Sequence, residues 1–440
     1  MDVNKTINTK KLFISILIVL SVFICLTSVA AQDSADANMT QASTVDVSQA
    51  TVDLDVDESA SDLASNGNDS AIGSASNPKD VSQDKLAATN SKEPLGKIIP
   101  VKNHTFSEIF FAINGAKSGD TIYLSPGTYT NDWMWHISIW GKDNLTIIGN
   151  STILDAQGYS YILHVYESQN VTIQNITFIN GKTTEDGGAI YWNDSPGGRV
   201  SGCSFVNNTA SKWAGAIFWA SGVGSIVSDC TFVNNTAGED GGAIYWYSKN
   251  GSVSGCTFVN NTAVNGGAIC WWSKNGSVSG CTFVNNTASY AALLAHYSDY
   301  FSIYDCSFVN NYAEFNGAAF SWVKCNNLRI SGCSFVNNTA KDICGAIGIG
   351  GGNNNQISKC IFVNNHASGR GVITTSSKYG DNKNLDIKYN IFLDNSCRYE
   401  MISRKLKVIP ISILIGLETM QPTILHTQTQ LMLPSITGCI

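Results

Sequence analysis

The chain has 440 residues, of which 43% are hydrophobic, 10% aromatic and only 14% charged, with 39 Gly against 8 Pro. That composition is poor in the charged helix formers of amphipathic helices and rich in what short strands and tight turns need. A formal net charge of −7 removes any general electrostatic reason to bind nucleic acid or an anionic membrane.

Lys5, Lys10 and Lys11 precede an apolar run from Leu12 to Leu26 that only Ser15 and Ser21 interrupt, and Ser28-Val29-Ala30 offers small residues for cleavage. Residues 1–31 therefore predict an export signal, which is the one membrane contact expected. An uncleaved anchor is the alternative, because the run approaches the length of a span. Phe23 and Ile24 before Cys25 are not the small residues that lipidation requires. Residues 32–97 consist mainly of Ser, Asp, Ala, Asn and Thr. Within 32–95 stand 12 Asp/Glu and 3 Lys, a local charge of 3 − 12 = −9. Such a segment buries too little apolar area to offset its ordering entropy, so it reads as a disordered acidic linker. The body that follows is expected to be secreted or displayed on the cell surface.

Order is expected over residues 98–400. Apolar residues at helical spacing from Phe106 to Ile113, with Thr105 or Ser107 placed to cap them, predict a short helix near 105–117. Thr121-Ile122-Tyr123-Leu124 reads as a strand after it. Together they make a lid over the open end of a β-solenoid. Gly-Gly-Ala-Ile-Tyr-Trp then appears at 187–192 and 241–246, with variants at 214–219, 266–271, 291–296, 317–322, 345–349 and 371–375. Between these phrases runs Val-Ser-Gly-Cys-Thr-Phe-Val-Asn-Asn-Thr-Ala, whole at 253–263 and 278–288. Its Phe recurs from Phe178 to Phe392 in steps of 27, 27, 26, 25, 25, 27, 27 and 30 residues. About 26 residues at roughly 3.3 Å each suit three short strands and three bends around a small core. The fold class is all-β: a single-stranded right-handed parallel β-helix.

Alternation along the strands predicts Val253, Cys256 and Phe258 inward and Thr257 outward. The Cys slot runs through Cys203, Cys230, Cys256, Cys281, Cys306, Cys333 and Cys360, and Ile176 and Asn390 flank it. Ile in that slot argues for an apolar filler. Disulfides between neighbouring rungs are a second reading, and a metal site a third that the one-per-rung spread disfavours. The second Asn of each Asn-Asn pair, Asn208 to Asn395, reads as a turn ladder of stacked amides. The first Asn points outward, and at Asn207, Asn234, Asn260, Asn285 and Asn337 it opens a glycosylation sequon.

Trp192, Trp219, Trp246, Trp271, His296 and Trp322 share one slot, read either as a core stack or as an exposed strip for sugar rings. If they face inward, Tyr191, Phe218 and Tyr245 are the outward neighbours and the candidate ligand contacts. That slot becomes Cys270, Ala295 and Ser321 further on. Catalysis would need carboxylates at glycosidase spacing. Glu185-Asp186 and Glu239-Asp240 are the candidates, two rungs or roughly 10 Å apart with Lys212 and Trp213 between them. Acidic residues also suit the turn that precedes Gly-Gly. His296 and Asp299 depart from the repeat singly. No Ser-His-Asp set, phosphate loop or zinc spacing is present, so no cofactor or metal is expected.

The alternating phrases Gly-Gly-Ala-Ile and Phe-x-x-Asn resemble those of the polymorphic outer-membrane proteins of chlamydiae. The chain is still more similar to the adhesin-like proteins of methanogenic archaea, with their export signal, acidic stalk and β-helix. The resemblance covers about 100–400. It implies a pectin-lyase-like solenoid, surface display and non-catalytic attachment to glycans or to a neighbouring cell, and it supplies no catalytic residues. The alternative is a carbohydrate-active lyase or hydrolase. The chain departs from these relatives in lacking the chlamydial β-barrel and a C-terminal wall-binding module. Past Cys397 the repeat chemistry stops, and 401–440 is an atypical tail with Pro410, Pro422 and Pro434. A permitted set of codons for 409–440, read two nucleotides later, encodes a string rich in Asn, Tyr and Trp, so a frameshift is one account. A genuine unrelated tail or apolar anchor is the other.

Overall fold

The computed structural model describes residues 96–376, 380, 382–398 and 402–403. The expected export signal, all but the end of the acidic linker and nearly all of the tail lie outside the described residues. What is described belongs to one compact unit, 88–440. It is a right-handed parallel β-helix of about 11 turns. Three sheets run along its axis. Sheet 1 has 21 strands, mostly in two short pieces per turn; sheet 2 has 9 and sheet 3 has 11. One turn shows the plan: Ser252–Ser254 and Thr257–Val259 in sheet 1, Thr262–Asn265 in sheet 2 and Ile269–Trp271 in sheet 3.

The lid forms as the spacing predicts. Helix α1 spans Phe106–Gly115, and the Thr105 hydroxyl caps it by accepting from the Glu108 backbone N–H. Phe106, Ile109 and Ile113 are buried in the main core. The strand Ile98–Val101, which pairs with Thr121–Leu124 and opens sheet 1, was not foreseen. Pro100 obscures it, yet a first strand tolerates proline because one of its edges needs no ladder donor.

Inside, each repeated residue meets its own copy. Phe178 to Phe392 pair turn to turn. Their rings stack with centroids 4.6–5.1 Å apart and planes within 7°. Those separations match the roughly 4.8 Å between hydrogen-bonded strands. At the bend after each Phe, the Asn261 Nδ2 donates to Phe232 O and Asn286 Oδ1, both at 3.0 Å, while its Oδ1 accepts from Asn235 N and Nδ2. The same pattern recurs from Asn208 to Asn365, so every buried amide of the row is satisfied. The cysteines of the row, Cys203 to Cys360, are thiols not joined by disulfides. Within the row, the Cys203 backbone N–H points at Cys230 Sγ at 3.4 Å and the Cys203 thiol donates to Ser201 O. Burial pushes the Cys333 thiol well above its usual pKa.

Trp192, Trp219, Trp246, Trp271 and Trp322 are fully buried, which settles that slot as core. His296 does not belong to it. Trp271 pairs with Ala295 and Ala295 with Trp322, placing His296 beside Val323 on the outside. The Gly-Gly of other turns contracts here to Ala291, whose φ of 53° takes over the left-handed position, and everything after it shifts by one residue. The gap above Ala295 is filled from across the lumen. Phe301, buried, packs against Trp271 at 4.9 Å. Where Trp246 stands, the facing residue is Gly251, and a Cβ there would lie 2.2 Å from Trp246 Cζ2. Trp192, Trp246 and Trp271 face glycine and Ala295 faces Phe301, a local exchange of volume across the lumen, whereas Trp322 faces Leu328.

This complementarity is testable by urea unfolding of the full chain. Trp246→Ala should cost roughly 3–5 kcal/mol as a cavity. Adding Gly251→Phe, the pairing already used at Ala295 and Phe301, should recover at least half of that loss. A double variant no more stable than Trp246→Ala would contradict the volume argument.

Candidate functional site

With Ile and Trp of sheet 3 turned inward, the residues between and after them face out and form two rows along the axis. The first row is His164, Tyr191, Phe218 and Tyr245, ending at Cys270 and Leu294. The second contains Trp140, Tyr166, Asn193, Ala220 and Tyr247. Trp272 extends this face and stacks on His296 at 4.4 Å with planes 9° apart. Aromatic contacts run continuously from His136 through Tyr161 to Tyr191 and on to Tyr245.

The expected contact strip of Tyr191, Phe218 and Tyr245 is therefore a real row, but not an open one. Phe218 and Tyr245 are only 5% and 7% exposed. The cause is Trp213, whose ring lies over Tyr245 at 5.0 Å and beside Phe218 at 5.9 Å. Tyr191 stays half-buried, and the open surface belongs to residues that the repeat phrases hid. Trp133, Trp135 and Trp140 are 66–68% exposed and Tyr247 55%. The inside–outside alternation, continued one step beyond Trp246 and beyond Val165 in the same slot, points to Tyr247 and Tyr166. Trp133 and Trp135 lie in a loop with no repeat to flag them.

Sequence separation hid a second relationship: the acidic pairs border this aromatic face. Lys212 is salt-bridged to Glu185. Trp213 donates its backbone N–H to Asp186 Oδ1 at 3.2 Å and its indole Nε1–H to Glu239 Oε2 at 2.9 Å. Asn265 Nδ2 donates to Asp240 Oδ1 at 2.7 Å. All four acids are thus held by the stacked residues of neighbouring turns. Burial raises the Asp186 and Asp240 carboxyls above the usual carboxylate range. Elsewhere, Asp299 is salt-bridged to Lys274 at 2.8 Å, away from any second acid of the aromatic face. Among the described residues, no group of three or more His, Cys, Asp or Glu side chains converges to hold a metal ion.

The sequon asparagines occupy the bend between sheets 1 and 2, all in the left-handed region with φ of 53–57°. Asn207, Asn234 and Asn260 are exposed, and Asn285 and Asn337 are half-buried.

A family model for the right handed beta helix region matches residues 135–308 and 213–359. No curated protein sequence matches the chain. Among solved structures, it is similar to the A-module of mannuronan C-5 epimerase AlgE6 from Azotobacter vinelandii, at 12% identity and a TM-score of 0.44. That match covers 68% of this chain and 93% of the other. A DFA-IIIase from Arthrobacter chlorophenolicus A6 has 12% identity and a TM-score of 0.48, over 67% of this chain and 94% of the other. PfbA, a surface adhesin of Streptococcus pneumoniae, has 12% identity and a TM-score of 0.42, over 68% and 89%.

The raised Asp240 carboxyl has a consequence for stability. The fold favours its protonated form, so that contribution is complete below the ordinary carboxylate pKa of about 3.9 and is lost as pH rises through the raised value. The Tm of Asp240→Asn minus that of the unsubstituted chain should accordingly grow from pH 4 to pH 7. Thermal unfolding across that range checks it, and a flat difference would contradict the assignment.

Proposed function

The chain belongs to the right-handed β-helix family, and on that scaffold we propose that it is an exported, cell-surface adhesin-like protein of the kind found in methanogenic archaea, a non-catalytic rod that binds glycans. The observation that carries this reading is the aromatic outer face of sheet 3. Its exposed members Trp140 and Tyr247, with Trp133 and Trp135 of the loop before it, leave open aromatic surface of the kind that marks contact sites. Exposed Trp and Tyr rings suit the apolar faces of sugars. The apolar run over 12–26 and the acidic linker support export and display. Glycosylation at Asn207, Asn234, Asn260, Asn285 and Asn337 is part of the same reading.

Binding is favoured over catalysis because the candidate acids are occupied. Glu185, Asp186, Glu239 and Asp240 each hold a partner from a neighbouring turn, as turn-stabilising groups do. One feature favours the alternative, a carbohydrate-active enzyme. Asp186 and Asp240 have raised pKa values and stand two turns apart, roughly 10 Å, near the upper edge of inverting-glycosidase spacing.

A glycan array probed with the full chain should give retained ligands without product release, and Trp213→Ala should weaken binding at least tenfold while leaving the circular dichroism spectrum unchanged. Hydrolysis or elimination products that vanish in Asp240→Asn would establish the enzymatic reading instead.

A further inference from the structure

Carboxylates surround the aromatic face. Glu167 follows Tyr166 at the edge of the second row, where Trp140 donates its indole N–H to it at 3.0 Å. That bond first, and the neighbouring Tyr166 hydroxyl second, hold Glu167 below its usual pKa, so it is ionised at neutral pH. Asp194, exposed, lies close enough to Tyr166 and Tyr191 to act on both electrostatically. Asp186 and Glu185 flank Tyr191 on its other side, and Glu239 accepts from Trp213.

Cations do not balance this set. Lys212 is taken by Glu185, and Lys142 donates to the Asn114 and Ala116 carbonyls at the end of α1. Lys249 faces outward like Tyr247 at the far end of its strand, and its one charge is set against Glu167, Asp194, Asp186 and Glu239. A polyuronate or sulfated chain laid along the aromatics would bring its own charges beside this unbalanced row. An uncharged chain would instead offer hydroxyl donors, and carboxylates are acceptor-only groups.

We propose that this face selects non-anionic glycan chains, lying along the axis with sugar rings on the aromatics and hydroxyls donating to Glu167 and Asp194, and that it repels polyuronates. The proposal rests on the glycan-binding reading and adds the ligand class. It follows from charge complementarity between a carboxylate-lined surface and a chain that carries donors but no negative charge.

The test is calorimetric titration of the full chain with cellohexaose and with hexagalacturonate at low and high salt. Cellohexaose should bind at least tenfold more tightly at low salt, and the gap should narrow at high salt as repulsion is screened. Glu167→Gln combined with Asp194→Asn should raise hexagalacturonate affinity severalfold. Hexagalacturonate binding as tight as cellohexaose at low salt would overturn the selectivity while leaving glycan binding intact. No binding of either, with an empty glycan array, would overturn both.

Discussion

Everything in this protein depends on one equality: the sequence period is the length of one turn. A residue therefore meets its own copy one strand spacing away, and any side chain that stacks with itself at roughly 4.8 Å is favoured at every turn. Phe stacks face to face, and Asn joins amide to amide while also bonding the bend backbone. Cys fills space where the lumen narrows. The steps from 25 to 30 residues show that the bends, and not the strands, absorb the irregularity.

The same equality divides the molecule into two chemistries. Inward positions answer only to packing and hydrogen-bond satisfaction, so they repeat. Outward positions are free to vary, and the aromatic face of sheet 3 is where they vary coherently. Tyr191, Phe218 and Tyr245 give way to Cys270 and Leu294 along one row, so the face has an end as well as a direction. Asp186 and Glu239, two of the four acids that form a separate enzymatic candidate in the sequence, are joined to the same surface by Trp213.

Much of this was legible without coordinates. The three-sided solenoid, the inward Val, Cys and Phe, the amide ladder and the capping helix follow from period and alternation, and each is found in the structure. The errors have definite physical sources. His296 was placed in the tryptophan slot because a one-residue contraction at Ala291 is invisible when phrases are aligned by their ends. Phe218 and Tyr245 face outward as alternation predicts, but alternation assigns a side of the sheet and says nothing about what covers it. Trp133 and Trp135 escaped notice because they sit outside any repeat.

What the sequence by itself determined is the fold, since a 26-residue period with stackable residues in phase admits one way of satisfying its backbone and burying its apolar rows. What only the tertiary structure decided is the surface. Exposure and pairing are set by contacts between turns, such as Trp213 lying over Tyr245 or Trp140 donating to Glu167. Those contacts join residues 32 and 27 positions apart, and no local pattern in the chain records them.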